Sequence, residues 1–241
     1  TNTDNYKYLV FNARWMGNAQ SFDNFYLCEA TVSTVGNVDY ATAAIPTANI
    51  GTDAFQYSQD AIDAVNALEQ GTATVAEVQA AYEAVTTINE PADGEVFNVM
   101  ITTSDNYGFK NNPLTFNADN ASGAYFPKNI GVKAYRAQQM VFTKVSGNNY
   151  TISTVNADNQ TVYIGTNKTI NNTGGTNQIR LTTDANKALS ITVDPTAEGV
   201  YNLLNTENSN NKLGCQDPDS ENRGGLYTTN SHSDFTITLD D

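Results

Sequence analysis

The residues best suited to chemistry gather near the end of the chain: Asp217, Asp219, Arg223, Tyr227, Asn230 and His232. A tyrosine face stacks on a pyranose ring, and Asp, Asn and Arg side chains bind sugar hydroxyls in pairs, so this set suits recognition of a carbohydrate. Catalysis has less to stand on. His232 is the single histidine, and Ser231, Ser233 and Asp234 beside it suggest a Ser-His-Asp triad. Adjacent residues on an extended chain point to opposite faces, however, and cannot form that geometry. No carboxylate pair stands out for glycoside hydrolysis, so the chain does not read as an enzyme. Zinc is disfavoured by the shortage of His and of clustered Cys. Asp217, Asp219 and Glu221 alternate as in a calcium loop, but Asn222 occupies the sixth position, where Gly is required, and Thr228 the twelfth, where Glu is. A solvated turn is expected there and no cofactor, with calcium as the alternative.

Composition narrows the classes further. The 241 residues are 39% hydrophobic and only 16% charged, with Asn, Thr, Ser and Gly making up the difference, as in all-β extracellular bacterial proteins. Acidic residues outnumber basic ones 26 to 12, a net charge of −14 that repels phosphate backbones and anionic membranes. Nucleic acid is therefore not an expected partner. No apolar run approaches the ~18 residues of a membrane helix, so no membrane insertion is expected. Thr1 is followed by neither a basic nor an apolar leader region, which suggests a processed mature protein or an excised piece of a larger one. Cys28 and Cys215 lie beside strand-like residues and read as small buried hydrophobes, with a bridge between them as the alternative. Asn120, Asn159, Asn167 and Asn171 match the glycosylation pattern, a match that an Asn- and Thr-rich chain produces by chance.

The elements that must position the site show as a repeat. Residues 200–241 open with an alternating apolar strand, turn through polar residues, and close on Phe235, Ile237 and Leu239. A middle copy opens at Tyr150 and closes on Leu189, Ile191 and Val193; a first opens at Phe97 and closes around Met140 and Phe142. The starts at Phe97, Tyr150 and Tyr201 lie about 50 residues apart, a threefold repeat whose units must pack on one another. On this pattern the stretch from Val96 onward resembles a β-trefoil of the ricin-type or agglutinin kind. The resemblance implies three four-stranded repeats closing a small barrel. Tyr227, after Gly224-Gly225-Leu226, falls where that family carries its stacking aromatic, whereas Gly214 replaces its hydroxyl-binding Asp and Ser233-Asp234-Phe235 its Gln-x-Trp signature. Weaker versions of the polar set recur as Asp158, Asn159, Tyr163 and Asn167, and as Asp105, Asn106, Tyr107 and Asn112.

Ahead of the repeats, residues 6–35 read as a strand pair around Gly17 and Asn18, with Trp15 next to the turn and expected to pack against the helices that follow, a sugar platform being the alternative. The runs 6–14 and 25–29 are similar to the closing strands of a discoidin-like domain, of which no sugar-binding residue is present. Ala54, Ala61, Ile62, Val65 and Leu68 recur at helical spacing between Thr52 or Asp53 and Gly71. A second helix carries Val75, Val78, Tyr82, Val85 and Ile88 on one face, opened by a Thr74–Glu77 capping box and stopped by Pro91. The pair resembles the FIVAR-like helical hairpins that separate modules in secreted multidomain proteins of gut Bacteroides.

The chain is thus expected to be mainly β: residues 1–50 a β hairpin segment and linker, 51–92 a two-helix hairpin, and 93–241 a C-terminal β-trefoil. Two functions of different classes fit. One is a non-catalytic, extracellular or cell-surface carbohydrate-binding module whose partners are host or dietary glycans. The other is a structural spacer or protein-interaction module that uses the trefoil without a sugar site.

Overall fold

The structure, a computed structural model, describes residues 49–68, 73, 75–102, 109–116, 124–127, 136–156, 158–172, 174–218, 223–229 and 234–240. The expected N-terminal strand pair, with Trp15 and Cys28, lies outside them. The chain divides into two compact units, one comprising Thr1–Ile45 and Gln59–Thr86, the other Pro46–Ser58 and Thr87–Asp241.

The second unit opens with two short parallel strands, β1 (Ile50–Gly51) and β2 (Tyr57–Ser58). Three repeats follow. The first holds β3 (Val96–Ile101), β4 (Thr115–Phe116), β5 (Ala124–Pro127) and β6 (Met140–Ser146). The second holds β7 (Asn149–Val155), β8 (Thr161–Thr166), β9 (Ile179–Thr182) and β10 (Ile191–Ala197). The third holds β11 (Val200–Asn205), β12 (Asn211–Pro218), β13 (Arg223–Thr229) and β14 (Phe235–Leu239).

The first and last strands of the repeats pair antiparallel around a ring: β3 with β6, β6 with β7, β7 with β10, β10 with β11, β11 with β14, and β14 back to β3. The ring leaves no strand edge to aggregate. Its register repeats as well, with Phe97 opposite Met140, Tyr150 opposite Ile191 and Tyr201 opposite Phe235. The period-2 pattern explains why these strands close: Phe97, Val99, Ile101, Ile152, Leu203, Val193 and Ile237 turn into one buried cluster. Gly147 and Gly199, at φ 52° and 63°, make the two-residue turns between β6 and β7 and between β10 and β11. The middle strands of each repeat form a hairpin, β4 with β5, β8 with β9, β12 with β13, and β5 pairs in turn with β13. The unit is mainly β and β-trefoil-like, as the repeat implied.

Phe55 departs from expectation. The helix expected to open at Thr52 or Asp53 with Ala54 on its face, α1, instead spans Gln59–Asn66, and Ala54 packs against the barrel core ahead of it. Phe55 is instead 1% exposed and part of the barrel's core cluster. Its ring stands edge-on to Phe97 at 5.1 Å, Tyr150 at 5.4 Å and Tyr201 at 5.9 Å, the opening aromatics of the three repeats. The backbone adopts φ 65°, which costs a non-glycine residue about 1–2 kcal/mol. Burial of a phenylalanine side chain contributes about 2–3 kcal/mol. Hydrogen bonds add to it: the Phe55 N–H donates to the Asn89 carbonyl (3.1 Å), and Asn89 Nδ2 donates to the Gly51 and Asp53 carbonyls (3.0 Å each). Together these outweigh a further helical turn.

The same competition corrects Ile88. Expected on the second helix, it bridges to Tyr57 and joins the barrel core, with its N–H donating to Asn148 Oδ1 at 3.0 Å. The second helix, α2, spans Val75–Val85 and lies in contact with α1. Thr74 and Gly71, the expected cap residues, are outside the described residues. No helix among the described residues is long and apolar enough to cross a membrane.

Phe55→Ala is expected to destabilise the fold by about 3–5 kcal/mol, read as a drop in the urea midpoint; a midpoint within error of the parent would show that the ring is not needed. Tyr150 supplies a second expectation. It is fully buried, its hydroxyl has no hydrogen-bond partner, and burial, followed by the Glu90 carboxylate, pushes its pKa up to about 12. The folded state therefore holds this proton more tightly than the unfolded chain, so stability present below pH ~10 is lost as pH rises toward about 12. Tyr150→Phe should match or exceed the parent's stability at neutral pH and flatten the alkaline loss, as followed by denaturation at stepped pH.

Candidate functional site

A polar platform forms where the second and third repeats meet. On β9, Ile179 is buried while Gln178 just before the strand and Arg180 within it face outward, as strand alternation requires. Gln178 forms an antiparallel bridge with Tyr227 of β13, and the Thr228 N–H donates to the Asn177 carbonyl at 2.9 Å. That pattern marks a non-hydrogen-bonded pair, in which facing side chains stand closest. Tyr227 is half-buried, and its strand neighbours Leu226 and Thr228 are buried on the other face.

The surrounding side chains are tied together. Arg180 donates from Nε to Asn167 Oδ1 (3.2 Å) and from Nη2 to Gln178 Oε1 (2.9 Å), and Asn167 Nδ2 donates to Gln178 Oε1 (3.2 Å). Asn167 is fixed as the first residue of a short helix, α3 (Asn167–Asn171), whose N-cap Thr166 accepts from the Thr169 N–H and whose Thr169 side chain accepts from the Thr166 N–H. Beneath the platform, fully buried Asn205 donates through Nδ2 to the Thr176 carbonyl (2.9 Å) and to Thr228 Oγ1 (2.6 Å), and its Oδ1 accepts from the Glu207 N–H (2.9 Å). All three groups of this amide are satisfied, and they clamp the approach to β9 against β13.

The residues expected at the site are distributed as follows. Tyr227 belongs to the platform. The backbones of Asp217 and Arg223 lie on β12 and β13, with a register shift between Cys215 and Pro218 at Asp217. Asp219, Asn230 and His232 lie outside the described residues. Thr228, the twelfth position of the considered calcium loop, is buried with its hydroxyl bonded to Asn205, so it faces the interior instead of an ion. Of the second-repeat set, Asn167 joins Tyr227. Asn159 instead shapes a tight turn at φ 59°, where its Oδ1 accepts from Arg136 Nη1 at 2.8 Å. Tyr163 is half-buried on β8, opposite Ser153 and Thr182. Asp158 is exposed. In the first repeat Asn112 is buried, and Asp105, Asn106 and Tyr107 are outside the described residues. Cys215 sits half-buried beside the core on β12.

Gln178, Arg180, Asn205 and Thr228 were missed because no reading within one repeat joins them to Tyr227. The one signal in the sequence was the recurrence of Asn and Gln around each hairpin, which also serves turn formation. A cavity of about 320 Å³ lies elsewhere, lined by Phe116, Val155, Val162 and Leu181 with Arg136 and Thr154. Its mainly carbon lining suits sugar hydroxyls less well than the platform does.

No protein-family model matches the chain, and no curated protein matches it. Among solved structures it is similar to a designed 3-fold symmetric protein, ThreeFoil, at 12% identity over 59% of this chain and 97% of that one, TM-score 0.40. It is also similar to the double-headed arrowhead protease inhibitor A, solved in complex with two trypsins, at 16% identity over 65% of this chain and 95% of that one, TM-score 0.43. The lysenin pore matches at 10% identity over 61% of this chain, TM-score 0.41, and the chain spans 46% of that protein's length. The fold assignment rests on the closed strand ring, and no function is taken from these structures.

Asn205→Leu should lower stability by about 1–3 kcal/mol, since it removes the acceptor of the Glu207 N–H and leaves the Thr176 carbonyl and the Thr228 hydroxyl only their long mutual bond of 3.4 Å; thermal and urea melts measure this. Thr228→Val should cost less, because Asn205 keeps its bond to Thr176. Equal costs for the two variants would show that the clamp does not run through Asn205.

Proposed function

We propose that this chain is a non-catalytic carbohydrate-binding module that works outside the cell or at its surface. The observation that supports this reading is Tyr227, half-buried beside Gln178, with Arg180 and Asn167 bonded around the same face. A pyranose places an apolar ring face and a rim of hydroxyls on any protein that binds it. The platform offers an aromatic for the first and planar amide and guanidinium groups for the second. Holding those groups in place before the ligand arrives lowers the ordering cost of binding. Contacts made on an exposed strand face are weak singly, so useful affinity comes from engaging repeated epitopes together.

A glycan array probed with the tetramerised chain tests this. Binding to one glycan class, lost in a still-folded Tyr227→Ala variant and weakened about tenfold in Gln178→Ala, is the expected result. Silence across host and plant glycans would overturn the proposal in favour of a spacer or protein-interaction module.

A further inference from the structure

Resting on the carbohydrate reading of this site, we infer that its ligand is an acidic saccharide, gripped at one oxyanion by Arg180. What distinguishes Arg180 is its place: it is held by neutral groups on the same face as Gln178, which faces Tyr227. Two ion pairs occur among the described residues, Lys144 with Glu90 and Lys168 with Glu207, and Arg180 takes part in neither. Its partners are the neutral oxygens of Asn167 and Gln178. These hold the guanidinium plane without neutralising its charge.

The geometry of those bonds also indicates which edge is available. A guanidinium has five N–H donors. The Nε and Nη2 bonds occupy its side-on edge, leaving Nη1 and the second Nη2 proton, a parallel fork that matches the two oxygens of a carboxylate or of a sulfate. The other platform residues, Asn167, Gln178 and Tyr227, carry no negative charge to oppose such a group. Glu207, on the turn after Asn205, is held by Lys168 at 2.8 Å. A neutral sugar would leave the Arg180 charge unanswered, whereas a uronate or sulfated sugar neutralises it while its ring lies on Tyr227. Uronates and sulfated sugars share this chemistry, and the experiment separates them.

The test measures binding of polygalacturonate oligosaccharides, chondroitin sulfate, chemically desulfated chondroitin and neutral galactan oligosaccharides by calorimetry. The proteins are the parent chain, Arg180→Gln, Arg180→Lys and Tyr227→Ala, each checked for an unchanged melt. The expected result is binding of at least one acidic probe, weakened about tenfold or more in Arg180→Gln, with little recovery in Arg180→Lys because a point charge lacks the fork. Preference for polygalacturonate and desulfated chondroitin identifies a carboxylate ligand, and loss on desulfation a sulfate. Acidic binding by the parent chain should also weaken as salt rises, a readout that needs no variant. Two results would overturn the inference while leaving the carbohydrate reading intact: galactan bound as well as the acidic probes and unaffected by Arg180→Gln, or acidic binding that persists in Arg180→Gln. Binding lost in Arg180→Gln and fully restored in Arg180→Lys would overturn the fork geometry. No binding of any probe, neutral or acidic, would overturn both readings.

Discussion

The trefoil-like unit depends on one aromatic contact made from outside the repeats. Phe55 stands edge-on to Phe97, Tyr150 and Tyr201, which hold equivalent places in the three repeats. A barrel of six strands with a threefold register gathers these three rings at one end, with Phe142 of β6 beside them, around a space that Phe55 occupies. A void there would forfeit dispersion contacts on every side. A single phenylalanine, delivered by a turn tied to Asn89, fills it. The price is a left-handed backbone at Phe55, and the energies favour it because the ring is buried against several partners at once.

Closing the strands into a ring has a second consequence, which is where function can lie. With every barrel strand paired on both sides and its inward side chains committed to the core, recognition is left to the hairpins between the ring strands. The platform at Gln178, Arg180, Asn167 and Tyr227 is assembled from two such hairpins. What holds it in place is the clamp below, where Asn205 uses both amide protons and its oxygen to lock a loop of the second repeat to a strand of the third. A buried amide with all its groups bonded is stiff, and it transmits that stiffness to the residues above it.

Charge on the platform runs against the chain as a whole. In a protein with a net charge of −14, an arginine held by neutral amides stands as a local positive point in a repelling field. For the acidic ligand proposed, long-range attraction would therefore be weak and selectivity would rest on short-range geometry.

The sequence by itself determined the local part of this protein. Alternation at Phe97, Val99 and Ile101, repeated from Tyr150 and from Tyr201, was enough to read three β repeats, because strand burial is a two-residue periodicity written in neighbouring positions. Tyr227 was legible as a candidate stacking aromatic only through the resemblance carried by Gly224-Gly225-Leu226 before it. Tertiary structure decided the rest. Phe55 and Ile88 left the helical pattern around them because the barrel offered deeper burial than a helix face, and propensity near the chain carries no record of that competitor. Gln178 and Tyr227 face each other across 48 intervening residues only once the ring has closed. Contacts between distant segments are set by packing of the whole, so the platform and its clamp had no local signature to read.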